Sequence, residues 1–366
     1  MAKTDKPLTA KSSIGEWLKH PVGAPLIRDL LAGGGQTESA LRPVRMLALQ
    51  KLVSLSQGQM PQSVIDDLVL RANGGEAPSE DAEEEAGDLA APVNLPSKLR
   101  GEVVVVIGVG GMGELIARRQ GTGKRLLIAD FSQDALDRVR TALRGDGYDV
   151  TDRKVDVSSR ESMAALAAEA AALGPVFQVI HTAGLSPVQA SAAAITAVDL
   201  VGVANMLEEF AAVVEAGGAG LVISSMAGYG IDLTQQDEEA LANDDPASLA
   251  QLPFISALTD PGAAYGYAKR GNILRVEAAS VAWGRRGARV NSISPGVIAT
   301  PLGQQELNGE HGDVMRAMIE SSGAGRLGTP NDIADAAAFL LGPTASFITG
   351  TDLLVDGGVV GARSAS

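Results

Sequence analysis

The sequence predicts an α/β protein with a doubly wound parallel sheet, preceded by a small all-α module. From residue 102 onward, seven short apolar runs alternate with six stretches of helical pattern. Most of these runs are apolar on both faces, as parallel strands buried between helices have to be. The 43 glycines among 366 residues suit tight turns between strands and helices. The predicted strands are 103–107, 126–129, 150–155, 176–181, 220–224, 289–293 and 353–355.

The chain before residue 102 divides into two predicted segments. Residues 1–73 are predicted to form a helical module. Ser13 caps a helix whose apolar stripe includes Trp17, and the same 3.6-residue apolar periodicity recurs at 44–55 and 61–72. We find no catalytic pattern there and interpret the module as an interaction or assembly domain. Residues 74–101 are rich in Gly, Pro and acidic residues, which predicts a flexible linker. The large domain then takes residues 102–366.

Composition excludes several classes of function. The net charge is −14, and an acidic protein repels phosphate backbones and anionic lipid, so we expect neither nucleic-acid nor membrane partners. The chain has no cysteine, which rules out disulfides, thiol nucleophiles and zinc-thiolate sites. The first residues lack the apolar run of a signal peptide, which predicts a cytoplasmic protein.

A glycine-rich turn follows the first predicted strand. Its glycines are Gly108, Gly110, Gly111 and Gly113, and a helix is predicted to begin near Met112. Glycines at such a turn let backbone N–H groups approach a pyrophosphate at the helix N-terminus. A methyltransferase also places a glycine-rich turn and then an acid after its first two strands, so the glycines alone do not decide between hydride and methyl transfer.

The ends of the next two strands carry acids. Asp130 lies 22 residues after Gly108 and ends the second strand, where a carboxylate binds the ribose hydroxyls of an adenosine. The same carboxylate repels a 2′-phosphate, which favours NAD over NADP. Asp156 and Val157 end the third strand and are expected to line the adenine, although Asp156 would equally serve as a helix cap.

A tyrosine and a lysine form the candidate catalytic pair. Tyr265 and Lys269 are four residues apart, about 6 Å of helical rise, so they share a face from which Tyr267 points away. A phenol with its usual pKa near 10 is a poor base at neutral pH. An ammonium ~4 Å away at an effective dielectric constant of ~20 stabilises the phenolate by about 4 kcal/mol, or roughly three pKa units. Tyr265 is therefore predicted to act as an acid and base near neutral pH.

Other strand ends supply polar groups around this pair. Ser225 follows "LVIS" and offers a hydroxyl to a substrate oxygen. Pro295 and Gly296 end a later strand, and Thr300 offers a hydroxyl to a carboxamide. The spacing of His, Asp and Glu suggests no metal site.

Together these motifs resemble the short-chain dehydrogenase/reductase family over residues 102–362. The matching elements are the turn at 108–113, Asp130, "DV" at 156–157, "TAG" at 182–184, Ser225, Tyr265, Lys269, "SPG" at 294–296, "TP" at 300–301 and "TGTDLLVDGG" at 349–358. The resemblance implies a Rossmann sheet and a nicotinamide cofactor.

The resemblance also implies a role for each matched residue. Tyr265 would be the general acid and base, Ser225 would bind the substrate oxygen, and Lys269 would hold the nicotinamide ribose and tune Tyr265. The family serine is matched at Ser225, not Ser224, by its position before Gly228. Besides the pair, the implied cofactor contacts are Gly108, Gly110, Gly111, Met112, Gly113, Asp130, Phe131, Asp156, Val157, Ala183, Gly184, Pro295, Gly296, Ile298 and Thr300.

Two positions depart from the family pattern. The common "NNAG" is "HTAG" here. We interpret His181 as a structural residue and not as a catalytic base, because a neutral imidazole can hydrogen-bond the backbone as an asparagine does. Asp199 stands where relatives often have an asparagine whose backbone helps hold a water in a proton relay to the lysine. Its carbonyl would preserve the relay and its carboxylate would raise the pKa of Lys269. Asp199 is therefore a fourth candidate catalytic residue.

A third departure is the distance between Ser225 and Tyr265. Residues 232–260 are an acidic segment of helical pattern, and the predicted insertion covers about 230–262. The bacterial 3α-hydroxysteroid dehydrogenase/carbonyl reductase branch has a helical insertion at this place, which alters its subunit contacts. The similarity implies a homo-oligomer, dimer or tetramer, with altered contacts. The segment would either wall the substrate pocket or be a surface excursion with no catalytic role.

Two functions follow from this sequence. The first is an NAD-dependent oxidoreductase that interconverts a secondary alcohol and a ketone, with a fairly apolar, hydroxysteroid-like small molecule as substrate. The alternative is a non-catalytic NAD-binding regulator or scaffold whose helical module binds a partner. A methyltransferase would leave Tyr265 and Lys269 without a purpose.

Overall fold

The chain forms two compact units, residues 1–95 and 96–366. The structure is a computed structural model, and it describes residues 7–33, 36–56, 60–78, 101–309 and 312–365. The predicted linker at 74–101 lies outside the described residues from 79 to 100. Each unit has its own apolar core, so each is described by itself.

The first unit is all-helical in its described part. Its helices are α1 (Ile14–Lys19), α2 (Gly23–Gly33), a 3₁₀ helix (Glu38–Val44), α3 (Lys51–Leu55) and α4 (Gln62–Ala72). Ser13 caps α1 as predicted. Its hydroxyl accepts from the Glu16 N–H, and the Glu16 carboxylate accepts from the Ser13 N–H. Trp17 is fully buried in the core and its indole donates to the Thr9 carbonyl at 3.1 Å.

The helix predicted at 44–55 forms only from residue 51. Ala48 makes a bridge with Ser13, and the Leu49 N–H donates to the Ser12 carbonyl at 3.0 Å. These pairings take the backbone groups that a helix would use. The apolar periodicity of the segment therefore reflects burial of Leu49 against the core, not a helical turn.

The second unit contains a seven-stranded parallel sheet. Its strands are β1 (Val103–Ile107), β2 (Arg125–Asp130), β3 (Asp149–Lys154), β4 (Val176–His181), β5 (Val214–Ile223), β6 (Arg289–Pro295) and β7 (Asp352–Val355). Their order is β3-β2-β1-β4-β5-β6-β7. The strand order reverses between β1 and β4, and their carboxyl ends flank the crevice where ligands bind in such sheets.

All seven predicted strands are present, and β5 is longer than predicted. It begins at Val214, opposite Val176, and its register then slips so that Ala219 lies opposite Gln178. Gly217 has φ +84°, which glycine adopts without strain. The first half of β5 has no apolar run, so the sequence pattern predicted only the buried second half as a strand.

Helices cover both faces of the sheet. They are α5 (Gly111–Gln120), α6 (Gln133–Gly145), α7 (Arg160–Leu173), α8 (Ala192–Ile195), α9 (Gly202–Ala211), α10 (Gln235–Asn243), α11 (Pro253–Ser256), α12 (Pro261–Arg285), α13 (Pro301–Leu307), α14 (Gly312–Ser321), α15 (Pro330–Leu341) and α16 (Val359–Ala365). A π-helical turn, Thr196–Val201, joins α8 to α9. One core layer includes Val105, Phe210 and Trp283 and the other includes Val106, Ile128 and Ile333, so successive strand residues point to opposite layers.

The insertion packs against the helix that follows it. Its buried residues Leu241, Leu249 and Ile255 share an apolar cluster with Ala264 and Ala268 of α12. The insertion thus continues the core over the first turns of α12 and is not a detached surface excursion. Across the described residues, no helix has both the length and the apolar character needed to cross a membrane.

Because the second unit has its own core, we predict that it folds without the first. A chain lacking residues 1–100 should keep its helix and strand content, unfold in one cooperative thermal transition and bind NAD. Circular dichroism and a binding titration test this, and Trp283, its remaining tryptophan, reports the transition by fluorescence. A folded truncated chain without NAD binding would show that residues 1–100 contribute to the site.

Candidate active site

The glycine turn after β1 has the tight geometry that its glycines predict. Gly108 has φ +91°, and a Cβ there would lie 2.5 Å from the Ala183 nitrogen. A Cβ on Gly113 would collide with the Gly108 carbonyl. The helix begins at Gly111, one residue before the predicted Met112, with Gly110 as its N-cap. The Thr182 hydroxyl donates to the Gly108 carbonyl at 2.7 Å, so β4 holds the turn.

Asp130 is fixed beside this turn. Its Oδ2 accepts from the Val109 N–H at 2.8 Å and its Oδ1 accepts from the Ser132 N–H at 2.9 Å. The next residue, Phe131, is 68% exposed, with the Lys154 ammonium 5.5 Å from its ring centroid. The carboxylate therefore has a defined orientation at the carboxyl edge of the sheet.

The two residues after β3 have separate structural roles. Asp156 is exposed, and its Oδ1 accepts from the Ser158 N–H at 3.0 Å, which shapes the turn before α7. Ser159, not Asp156, is the N-cap of α7. Val157 is buried in the core against Gly202, where a Cβ would lie 2.7 Å from a Val157 methyl. Contact of either residue with an adenine stays a prediction.

Tyr265 and Lys269 lie one turn apart on α12, as predicted. The helix starts cleanly because Asp260 accepts from the Ala263 N–H at 2.7 Å and Pro261 occupies the first turn. Lys269 is 4% exposed, and its Nζ lies 5.2 Å from the centroid of the half-buried Tyr265 ring. Nζ also donates to the Ile223 carbonyl at 3.4 Å.

Asp199 lies directly against this lysine. Its carboxylate is fully buried, with Oδ2 3.0 Å from the Lys269 Nζ and Oδ1 accepting from the Leu185 N–H at 2.8 Å. Burial alone would lower the pKa of Lys269, but the charges of Asp199 and of an ionised Tyr265 outweigh it and raise that pKa. Lys269 therefore keeps its proton at neutral pH. Burial raises the pKa of Asp199, while the charge of Lys269 and the Leu185 N–H work in the opposite direction and favour the ionised carboxylate.

Two adjacent serines at the end of β5 have different environments. Ser224 is buried and its hydroxyl donates to the Lys269 carbonyl at 2.8 Å, so it anchors α12. Ser225 is half-buried and its Oγ accepts from the Ala227 N–H at 3.2 Å, which leaves its proton available to another acceptor. This difference favours Ser225 as the substrate-binding hydroxyl.

The segment after β6 places the other predicted cofactor contacts. The Gly296 N–H donates to the Val355 carbonyl at 3.0 Å, which extends the pairing of β6 with β7 beyond Pro295. Ile298 makes a parallel bridge with Gly328. Thr300 is nearly buried, and its hydroxyl accepts from the Gly303 N–H at 3.0 Å at the start of α13. A methyl of Thr300 would lie 3.5 Å from a Cβ on Gly111, so this segment closes over the glycine turn.

His181 is fully buried at the end of β4. Desolvation, and then the charge of Lys269, lowers the pKa of its imidazole to about 3, so it is neutral as interpreted. Neither ring nitrogen makes a hydrogen bond to any residue within the described ranges. A base with this pKa in a sealed position does not serve catalysis near neutrality.

Two glycines contribute to the site in ways that the sequence analysis did not assign. A Cβ on Gly184 would lie 2.8 Å from Asp199 Oδ2 and 3.4 Å from Lys269 Nζ. A Cβ on Gly228 would lie 2.9 Å from the Lys269 carbonyl carbon. Both leave room for the Lys269 segment, and the nearby motifs "TAG" and "SMAG" were the available signal. No group of three metal-ligating side chains occurs in the part of the chain that the structure describes.

Known families match both halves of the second unit. A family model described as short chain dehydrogenase matches residues 102–234, and one described as enoyl-(acyl carrier protein) reductase matches residues 231–360. The short-chain dehydrogenase/reductase bsc3 of Alternaria brassicicola is 41% identical over 260 residues, 70% of this chain and 95% of that protein. Galactitol 2-dehydrogenase (L-tagatose-forming) of Cereibacter sphaeroides is 31% identical over 71% of this chain and 96% of its own length.

The fold has solved counterparts. A short-chain dehydrogenase/reductase from Serratia marcescens superimposes with a TM-score of 0.56 at 22% identity, over 71% of this chain and 98% of the other. The matching family models and relatives define the class as nicotinamide-dependent oxidoreductases. The chain belongs to the short-chain dehydrogenase/reductase family.

The residues at the sheet switch point fit the nicotinamide cofactor of this family. Apart from the neighbouring backbone, none of the described residues has an atom within 4 Å of a Cβ built on Gly110, so the start of α5 is open to a ligand. Asp130 is held beside it by the Val109 N–H. An open helix N-terminus next to a fixed carboxylate is the arrangement that receives a pyrophosphate and a ribose.

We predict that His181 makes folding stability depend on pH. Its folded pKa of about 3 lies below the ordinary 6.5, so between these values the unfolded chain binds a proton that the folded chain does not. The free energy of unfolding should be unaffected above pH 6.5 and fall by up to ~1.4 kcal/mol per pH unit below it. His181→Asn should remove this part of the dependence.

Urea unfolding at pH 7.5, 6.5 and 5.5 tests this. Trp283 can be followed alone in a Trp17→Phe background, since the chain has two tryptophans. Parallel pH dependences with and without His181 would contradict a neutral buried imidazole.

Proposed function

We propose that the protein is an NAD-dependent oxidoreductase that interconverts a secondary alcohol and a ketone. The observation that carries this is the buried Lys269 ammonium, 5.2 Å from the Tyr265 ring on the same face of α12. A cation held this close stabilises a phenolate, which makes the phenol a usable proton donor and acceptor. The family membership is consistent with this chemistry.

Each side chain has one task in the proposed reaction. The nicotinamide, when bound, accepts or supplies the hydride. Tyr265 takes the hydroxyl proton of the alcohol in one direction and protonates the alkoxide in the other. The Ser225 hydroxyl donates to the substrate oxygen and stabilises the charge that develops there. Lys269 holds the nicotinamide ribose and stabilises the phenolate, with Asp199 holding Lys269.

The remaining cofactor contacts follow from the positions described above. The glycine turn, with Met112, would receive the pyrophosphate, and Asp130 and Phe131 the adenosine ribose. Asp156 and Val157 would line the adenine. The nicotinamide side of the crevice would be lined by Ala183, Gly184, Pro295, Gly296, Ile298 and Thr300.

NAD is the proposed cofactor, with NADP disfavoured. Both oxygens of Asp130 are fixed by backbone N–H groups, so the carboxylate cannot turn away from a ribose. A 2′-phosphate placed there would meet a negative charge at close range.

The proposed substrate is a fairly apolar, hydroxysteroid-like alcohol or ketone. Leu185, Leu233 and Phe254 are partly buried in the same apolar cluster as Tyr265. The galactitol 2-dehydrogenase relative, whose name states formation of a ketose from an alditol, supports secondary-alcohol chemistry but suggests a polar substrate as the competing class.

We also propose a homo-oligomer, dimer or tetramer, with altered contacts. The insertion covers part of α12 with its own apolar residues, so that part is not available to a second subunit. Sedimentation analysis of the full chain tests the oligomer.

The central prediction compares two tyrosines. Tyr265→Phe should lower kcat at least a thousandfold while NAD still binds, since phenylalanine cannot take the hydroxyl proton. Tyr267→Phe is the matched control: Tyr267 packs near Phe254, with ring centroids 6.2 Å apart, and its loss should leave kcat within about twofold. NADH formation is followed with cyclic apolar alcohols and, separately, with galactitol.

The outcomes separate the functions. Turnover lost only in Tyr265→Phe supports the oxidoreductase. NAD binding without turnover of any secondary alcohol or ketone would favour the non-catalytic regulator, and equal loss in both variants would contradict the role of Tyr265.

A second prediction concerns cofactor choice. Asp130→Asn keeps an oxygen for the Val109 N–H and removes the charge. The ratio of kcat/KM for NAD over NADP should fall at least tenfold, which is about 1.4 kcal/mol. An unchanged ratio, or a natural chain that prefers NADP, would contradict the proposed role of Asp130.

A further inference from the structure

We propose that Asp199 is a built-in countercharge of the reaction centre: its carboxylate positions the Lys269 ammonium and offsets part of the field that this ammonium exerts on the Tyr265 phenol. The proposal rests on the proposed function for the role given to Tyr265. It assigns Asp199 as a positioning residue acting through Lys269, by its side chain and not by the backbone relay that the family asparagine implies.

The carboxylate is oriented by two different partners. Oδ1 accepts from the Leu185 N–H at 2.8 Å, and Oδ2 lies 3.0 Å from the Lys269 Nζ. The side chain is fully buried, so water does not screen the pair. An asparagine could satisfy Leu185 with its oxygen, but its amide would then present N–H groups to an ammonium.

The backbone is shaped around this pair. Asp199 lies in the π-helical turn Thr196–Val201, which changes the side-chain directions of an otherwise α-helical segment. Opposite it, Gly184 has no room for a Cβ, which would lie 2.8 Å from Oδ2. The π-helical turn on one side and the glycine on the other therefore leave room for a direct contact between Asp199 and Lys269.

The charges that face Lys269 can be counted. Among the described residues they are the Asp199 carboxylate, the Tyr265 phenol and the His181 imidazole. His181 is neutral near pH 7. Burial raises the pKa of Asp199, and the Lys269 ammonium 3.0 Å away opposes that rise. With Asp199 ionised, the two buried charges cancel to a first approximation. Ionising Tyr265 then adds an anion beside a neutral pair and not beside a lone cation.

The consequence is a phenol that keeps its proton to higher pH than a lysine alone would allow. Like charges separated by several ångströms in a medium of intermediate dielectric interact by about one to two pKa units. A protonated phenol is the acid that carbonyl reduction needs, so Asp199 keeps a larger fraction of Tyr265 in the form that protonates an alkoxide at neutral pH.

The test is a spectroscopic titration that needs no substrate. The chain has four tyrosines, so the phenolate absorbance of Tyr265 is isolated by subtracting the titration of Tyr265→Phe. The same subtraction is made in an Asp199→Asn background. We expect the pKa of Tyr265 to fall by about one unit or more on loss of the carboxylate. An unchanged or raised value overturns the proposal.

Asp152→Asn is the matched control. Asp152 is a partly buried aspartate on β3, paired with Arg140 at 2.9 Å, and its loss should leave the titration of Tyr265 unchanged. Should Asp199→Asn fail to fold, Asp199→Ser replaces it, since its hydroxyl still accepts from Leu185 N–H and brings no charge.

Activity gives an independent readout. The acid limb of kcat for alcohol oxidation should move to lower pH by the same amount in Asp199→Asn. A shifted titration without turnover of any substrate would support the role of Asp199 as a countercharge and contradict the proposed function. Turnover that depends on Tyr265, with an unshifted titration, would support the proposed function and contradict the role of Asp199 as a countercharge.

Discussion

The ion pair between Lys269 and Asp199 is the interaction on which the site depends. An ammonium with 4% exposure is stable only if a partner replaces the water it has lost. Asp199 is that partner at 3.0 Å, and several other features follow from the pair. The π-helical turn aims the carboxylate inward, Gly184 leaves the space, and the Ser224 hydroxyl fixes the Lys269 backbone from the strand side.

The sheet brings these parts together from distant points in the chain. β1, β4 and β5 are adjacent and parallel, so the residues after their carboxyl ends meet at one edge. Thr182 after β4 holds the glycine turn after β1, and Ser224 after β5 holds α12. The hydroxyl residues thus connect the turn expected to receive the cofactor with the helix expected to carry the acid and base.

Much of this arrangement could be predicted because it depends on local pattern. Buried strands show as apolar runs, and the Tyr265–Lys269 spacing fixes a common face on any helix. The proximity of Asp199 to Lys269 was expected from the family resemblance and not from local pattern, since the π-helical turn that carries Asp199 leaves no mark in "TAVDLVG". The start of β5 and the turn at 45–50 were missed for a related reason: both are set by pairing with distant segments, which overrides local periodicity.

Arg275 gives the insertion a constraint of its own. Its guanidinium is 5% exposed, burial lowers its pKa, and it donates to the carbonyls of Leu241 and Asp244 at 2.9 and 3.0 Å. These carbonyls lie at the C-terminal end of α10, where cations are favoured. Shortening the loop would therefore remove two hydrogen-bond acceptors from a buried guanidinium and leave it Glu208, whose carboxylate lies 3.7 Å from Arg275. A change of length between Ser225 and Tyr265 would therefore be felt at Arg275, which couples the insertion to the helix that carries Tyr265 and Lys269.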